Sequence, residues 1–146
     1  MENKVTRPHY ETAIDLQNEL SVAKLLKRHN YSLHKLPVQY GIDCAIHCDR
    51  DDCVVGFGEI KTRTFKMNKY PTAMVNLHKV IRARHLTETT GLPSYLIVLW
   101  TDALARISFA EDFSLQMGGR TDRGDPQDVD VCAYYPIESF KVLEQI

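Results

Sequence analysis

The amino-acid sequence predicts a single α/β domain with a central mixed sheet flanked by helices. Two segments have apolar residues at helical spacing, and several short apolar runs of strand length lie between and after them. The chain has 146 residues, of which 44% are hydrophobic and 25% charged, which is typical of one globular domain. Because no repeat or Pro/Ser-rich linker divides the sequence, we expect residues 1–146 to form one domain.

The first helix is predicted over residues 13–29. Its apolar residues recur on one side of a helical wheel, at Leu16, Leu20, Ala23 and Leu26. Residues 31–48 and 53–61 then have strand-like patterns, and the polar segment 49–52 between them predicts a turn. We therefore expect a β-hairpin to follow the first helix.

A second helix is predicted over residues 77–90, with Asn76 as its N-cap and Gly91 at its end. The continuous apolar run 95–100 is typical of a central strand that is covered on both faces. Further strands are predicted at residues 105–109 and 129–135. Residues 118–128 have the composition of a loop.

The composition argues against membrane-spanning and secreted proteins. No apolar run approaches the roughly 18 residues that a membrane helix needs, and residues 1–4 do not begin a signal peptide. The four cysteines, at positions 44, 48, 53 and 132, are too few for a disulfide scaffold in a chain of this length. We expect an intracellular protein, either cytoplasmic or nucleoid-associated.

The charge is unevenly distributed, although the net charge is only −1. Residues 59–85 contain seven lysines and arginines but a single acid, Glu59. Such a local field attracts polyanions, whereas the simpler alternative is a solvated basic face without a ligand. The candidates for nucleic-acid binding are Arg63, Lys66, Lys69, His78, Lys79 and Arg82.

The strongest functional signal is Asp43 followed, after the hairpin turn, by the triplet Glu59-Ile60-Lys61. Strand side chains alternate, so Glu59 and Lys61 share one face of the sheet. If Asp43 lies on the neighbouring strand, the two carboxylates can share a hydrated Mg²⁺ ion, and this arrangement suits phosphodiester hydrolysis. An exposed cross-strand salt bridge is the alternative.

Glu19 adds a third acid. On a helical wheel it falls within the apolar arc of the first helix, so burial of its carboxylate requires a cation, a metal-bound water or a lysine as partner. The alternative is a glutamate at the edge of this face that reaches solvent.

Together these residues resemble the PD-(D/E)XK nuclease superfamily, which includes restriction-type endonucleases and Holliday junction resolvases. The resemblance covers roughly residues 13–109 and implies a restriction-endonuclease-like αβββαβ core. It also implies that Asp43, Glu59 and the Ile60 backbone carbonyl bind Mg²⁺ or Mn²⁺, that Lys61 assists the attacking water, and that Glu19 acts through a water or a second ion. Ile42 stands where the superfamily commonly has proline.

The predicted function is therefore a metal-dependent endo- or exodeoxyribonuclease that hydrolyses DNA, with structure selectivity left open. The alternative is a non-catalytic nucleic-acid-binding or partner-binding domain that keeps the nuclease fold. A homodimer is expected because cutting both strands usually takes two sites, with residues 104–113 as the candidate apolar surface.

A structural zinc site is a competing interpretation of Cys44, His47, Cys48 and Cys53, since thiolates and imidazoles are the usual ligands. The spacing argues against it, because strand alternation directs His47 away from the face shared by Cys44 and Cys48. Small buried thiols are the simpler interpretation.

Overall fold

The computed structural model describes residues 13–119 and 129–146, which form two helices and nine strands. The helices are α1 (Ala13–Lys27) and α2 (Leu77–Thr90). The strands are β1 (Tyr31–Lys35), β2 (Cys44–Cys48), β3 (Cys53–Thr62), β4 (Thr72–Asn76), β5 (Ser94–Leu99), β6 (Ala103–Ser108), β7 (Ser114–Gly119), β8 (Val129–Pro136) and β9 (Lys141–Gln145). Of the predicted loop, residues 120–128 lie outside the described residues.

The main sheet has six strands in the order β1-β2-β3-β5-β6-β9. The β3–β5 pair is parallel and the other neighbouring pairs are antiparallel, so the predicted mixed sheet is confirmed. The crossover from β3 to β5 contains α2, as a parallel connection requires. The chain order α1-β1-β2-β3-α2-β5 gives the predicted αβββαβ core, into which β4 is inserted.

The two faces of the main sheet have separate apolar cores. On the α1 face, Val22 and Leu26 pack with Ile60 and Ile97. The α2 face has the larger core, and a second sheet of order β4-β8-β7 packs there through buried residues such as Tyr135. Strand β5 is central, and its residues 96–98 are at most 2% exposed, which explains its continuous apolar pattern.

The second helix begins and ends as predicted. Gly91 stops it in a left-handed conformation, with φ of 76°, and its backbone N–H donates to the Thr87 carbonyl at 2.8 Å. Asn76 occupies the N-cap position, but its side chain makes no capping hydrogen bond. In α1 the predicted apolar stripe is partly wrong, because Leu16 and Leu20 are exposed while Val22 and Leu26 are buried.

Three strands of the fold were not predicted, namely β4, β7 and β9. Strands β4 and β7 are short and contain polar residues, and the Gly118-Gly119 pair at the end of β7 is typical of a loop. Gly118 is required in this strand because a side chain there would collide with the Tyr134 hydroxyl of β8.

The predicted apolar dimer surface at residues 104–113 is wrong. Leu104, Ile107 and Phe109 are at most 2% exposed, because they point into the cores of this chain. Neither helix in the two described ranges is long and apolar enough to span a membrane.

Candidate active site

The candidate site lies on the α2 face of the main sheet, where β2 and β3 are paired. Cys44 pairs with Gly58, so Asp43 and Glu59 are neighbours across the two strands and point to the same face. The Asp43 side chain is fixed there, because its Oδ2 accepts a hydrogen bond of 2.8 Å from the Ile60 backbone N–H. The predicted meeting of the two carboxylates thus follows from the register of this hairpin.

Glu59 is the buried centre of the site, with 2% exposure. Its Oε2 lies 3.4 Å from Lys61 Nζ and 3.4 Å from Lys79 Nζ. Its Oε1 is buried and receives no hydrogen bond from any described residue. Burial raises the pKa of the Glu59 carboxyl, and nearby Asp43 raises it further, while the two lysines oppose this shift.

Lys79 belongs to this site rather than to an outer surface. It lies in the first turn of α2, and its Nζ donates a 2.9 Å hydrogen bond to the Gly41 carbonyl in addition to contacting Glu59. Gly41 has φ of 75°, which favours glycine, and a Cβ there would lie 2.9 Å from Arg82 Cγ. The start of α2 therefore fixes the backbone that leads into Asp43.

Sequence reasoning did not place Lys79 beside Glu59, because this contact depends on how α2 packs on the sheet. The predicted helix over residues 77–90 showed only that Lys79 lies near the N-terminus of that helix.

Glu19 is not brought to this face. Its Oε1 lies 3.3 Å from Lys35 Nζ of β1, and Glu19 lines a cavity of about 320 Å³ together with Cys44 and Ile60, whose side chains point to the α1 face. Lys35 pairs with Cys44, so Glu19 lies at the same end of the sheet as Asp43 but on the opposite side. Lys35 is the kind of lysine partner that was expected for Glu19, and this pair lies on the side of the sheet opposite Glu59.

The Cys44 thiol is buried on the α1 face, where its protonated and less reactive form is favoured. Burial raises its pKa to about 12, and the carboxylates of Asp43, Glu59 and Glu19 contribute to this shift. Its Sγ donates to the Gly58 carbonyl at 3.4 Å, so this thiol is part of the core.

The predicted nucleic-acid contacts surround the site in two groups. Lys66 and Lys69 are exposed in the segment that follows β3, and His78 and Arg82 are exposed on α2. Arg63 is half-buried directly beyond β3, and burial lowers its pKa.

The zinc interpretation finds no support. His47 uses both ring nitrogens, with Nδ1 2.9 Å from Asp49 Oδ1 and Nε2 3.0 Å from Asp52 Oδ1. Within residues 13–119 and 129–146, no three His, Cys, Asp or Glu side chains form a group that could hold a metal ion. All four cysteines are free thiols.

A family model described as "Phage putative PDDEXK endonuclease" matches residues 5–143, which is nearly the whole chain. The chain belongs to this PDDEXK endonuclease family. No curated protein sequence matches it. The predicted membership of the PD-(D/E)XK superfamily and the nuclease class are thereby confirmed.

The fold of this PDDEXK chain is also similar to that of a solved structure of Hjc, a Holliday junction resolvase from the archaeal hyperthermophile Archaeoglobus fulgidus. The TM-score is 0.59 at 9% sequence identity, and the match covers 90% of this chain and 93% of Hjc. At this identity the similarity shows the fold, and it confirms the predicted restriction-endonuclease-like core.

The donor set of the PDDEXK chain fits a hydrated Mg²⁺ ion. Magnesium is commonly bound by only one or two carboxylates and keeps several waters, so Asp43 and Glu59 are a sufficient pair of side chains. The buried Glu59 Oε1, which lacks a hydrogen-bond partner among the described residues, is the atom most in need of a cation or water. Oxygen donors without a thiolate in the pair favour a hard cation.

Proposed function

We propose that the chain is a divalent-metal-dependent endodeoxyribonuclease, with Mg²⁺ or Mn²⁺ held by Asp43, Glu59 and the Ile60 backbone carbonyl. The observation that carries this proposal is the Glu59 carboxylate, which is 2% exposed and has one oxygen without a hydrogen bond from the described residues. A buried, incompletely paired charge is costly, and such groups cluster at functional sites.

The metal would supply Lewis acidity to the scissile phosphate and lower the pKa of a bound water. Lys61 would be the protein side chain that assists the attack on the phosphate. Its side chain is 30% exposed and its ammonium lies 3.4 Å from Glu59, so it is anchored at one side and accessible to substrate at the other. From this position it can orient the attacking water or offset the charge that develops on the phosphate.

Lys79 would act as a positioning residue. Its contacts with the Gly41 carbonyl and Glu59 Oε2 tie the backbone before Asp43 to the carboxylate on β3. This link keeps two acids from different strands at a fixed separation, which matters because small displacements of catalytic groups are costly to the rate.

Glu19 would contribute through a water rather than by direct coordination. Its carboxylate lies across the sheet and is paired with Lys35, yet it is close enough to influence the Cys44 thiol beside Asp43. We therefore assign it a smaller share of the activity than Asp43 or Glu59.

DNA is the proposed substrate. Exposed Lys66, Lys69, His78 and Arg82 would contact backbone phosphates near the site, and the N-terminus of α2 adds a favourable dipole. The resemblance of the fold to a Holliday junction resolvase favours branched DNA as the first substrate to test.

An intracellular location is proposed because it fits the four free thiols. A homodimer is proposed because cleavage of both strands takes two sites. Light scattering of the purified protein tests the dimer directly. A monomer at all concentrations would refute it without affecting the proposed chemistry.

The activity is tested by incubating the protein with supercoiled plasmid and with a labelled four-way junction. We expect nicking or cutting in Mg²⁺ or Mn²⁺ and none in EDTA, and we expect Glu59→Ala and Lys61→Ala to abolish cleavage while binding remains. Lys27→Ala is the control, since Lys27 is paired with Asp49 at the other end of β1 and β2.

Equal cleavage by the wild type and both active-site variants would indicate a contaminating nuclease and refute the proposal. Binding of the junction without cleavage in either metal would favour the alternative of a non-catalytic DNA-binding domain.

A further inference from the structure

A cavity of about 410 Å³ opens between the two sheets, immediately beyond the candidate site. Its position follows from strand geometry. Val98, which lines it, is the register partner of Lys61, and Arg63 is two residues further along the same strand direction. Two residues of extended chain span about 6.6 Å, so Arg63 in the cavity wall lies close along the chain to Lys61 of the candidate site.

The walls of the cavity are aromatic and apolar. Phe65 and Tyr70 meet edge to face, with ring centroids 5.2 Å apart, and the buried Trp100 also lines the cavity. Lys69 Nζ lies 5.3 Å from the Phe65 ring centroid and 5.5 Å from that of Tyr70, so a positive charge is held at this aromatic rim.

One charged group in the wall of the cavity has no strong partner among the described residues. Arg63 donates to the Thr62 carbonyl at 3.0 Å, and no carboxylate within the described ranges forms an ion pair with it. A half-buried guanidinium is better satisfied by a ligand that carries oxygen or nitrogen acceptors.

We propose that this cavity binds an unpaired nucleobase from the nucleotide next to the phosphate at Glu59 and Lys61. A nucleotide combines a flat aromatic base for the Phe65 and Tyr70 rings with hydrogen-bond acceptors for the Arg63 guanidinium. The inference rests on the proposed nuclease function and extends it, because it makes substrates with an extrahelical or single-stranded base the preferred ones.

The chain has one tryptophan, Trp100, and it lines this cavity, so its fluorescence reports on the occupant. The experiment titrates the full chain in EDTA with an oligothymidylate and with an abasic deoxyribose-phosphate chain of equal length. We expect a saturable change in Trp100 emission and at least about fivefold tighter binding for the oligothymidylate, because this factor is the lower limit for stacking of one base on an aromatic side chain.

Two variants localise the effect. Phe65→Ala is expected to weaken oligothymidylate binding about tenfold, and Tyr70→Ala, at an exposed aromatic residue of the same wall, severalfold, while neither changes binding of the abasic chain. Tyr95→Ala is the control for loss of an aromatic ring, because Tyr95 lies on the α1 side of the sheet and its replacement should leave both affinities unchanged.

Equal affinity for the two oligonucleotides with unchanged Trp100 emission would overturn the base pocket, and so would Tyr70→Ala and Phe65→Ala variants that bind like the wild type. Cleavage of the four-way junction is measured in parallel. Retained cleavage with a failed pocket test refutes only this inference, whereas absent cleavage refutes the proposed function.

Discussion

Replacement of Glu59 by glutamine is expected to stabilise the metal-free protein and to remove its response to Mg²⁺. The Glu59 carboxylate is buried at 2% exposure, which raises its pKa above the usual 4.5. Each tenfold change in the acid constant corresponds to about 1.4 kcal/mol of folding free energy. The gain is reduced because Lys61 and Lys79 lose an ion-pair partner, so we expect a net stabilisation of about 1 kcal/mol, or roughly 2–4 °C in Tm.

The pH dependence has a defined sign. Because the pKa of Glu59 is higher in the folded state than in the unfolded state, the folded state binds more protons between the two values. Stability therefore falls as pH rises from about 4.5 through the folded pKa. Thermal unfolding in EDTA across this range should show the decline in the wild type, and the difference between the wild type and Glu59→Gln isolates it from other titrating groups.

Metal binding supplies the second half of this prediction. At a Mg²⁺ concentration 100 times its Kd, the ion stabilises the folded state by about 2.7 kcal/mol, or roughly 5–10 °C in Tm. We expect this rise in the wild type and not in Glu59→Gln. Glu144→Gln is the control, since Glu144 is a partly buried carboxylate that is likewise paired with two basic side chains, Arg28 and His29. A destabilised Glu59→Gln whose Tm still rises with Mg²⁺ would refute the reasoning.

Three further predictions follow from the positions of single residues. Lys79→Met should lower the cleavage rate about tenfold to a hundredfold with little loss of DNA affinity, because Lys79 positions the acids. Single-turnover kinetics test this rate. The control is Lys66→Met, which changes an exposed lysine and should instead weaken DNA binding. Glu19→Gln should lower the single-turnover cleavage rate less than tenfold. A loss of rate as large as that caused by Glu59→Gln would contradict the position of Glu19 on the opposite face of the sheet. Gly41→Ala should lower the unfolding free energy by about 1–2 kcal/mol in urea titrations, since φ is 75° there, and an unchanged midpoint would contradict this strain.

The core of the fold was predictable because its periodicities are local. Helix α2 and strand β3 follow directly from apolar spacing and from the glycine and turn residues at their ends. The second sheet was not predictable in the same way, because β4 and β7 have short, mixed patterns and become strands only by pairing with β8.

The candidate site was predictable to the extent that strand alternation determines it. Alternation places Glu59 and Lys61 on one face, and hairpin pairing brings Asp43 beside them. The contacts of Lys79 and Glu19 depend on how each helix packs on the sheet, and no local pattern encodes that packing. The aromatic cavity beyond Arg63 likewise requires the second sheet, which the sequence did not predict.

The most direct test of the central claim is a crystal of the protein soaked in Mn²⁺, with its anomalous scattering measured. We predict a peak at coordination distance, about 2.0–2.3 Å, from Glu59 Oε1 and from a carboxylate oxygen of Asp43. A peak elsewhere, with Glu59 still contacting only Lys61 and Lys79, would contradict the assignment of these acids as the metal centre of the nuclease.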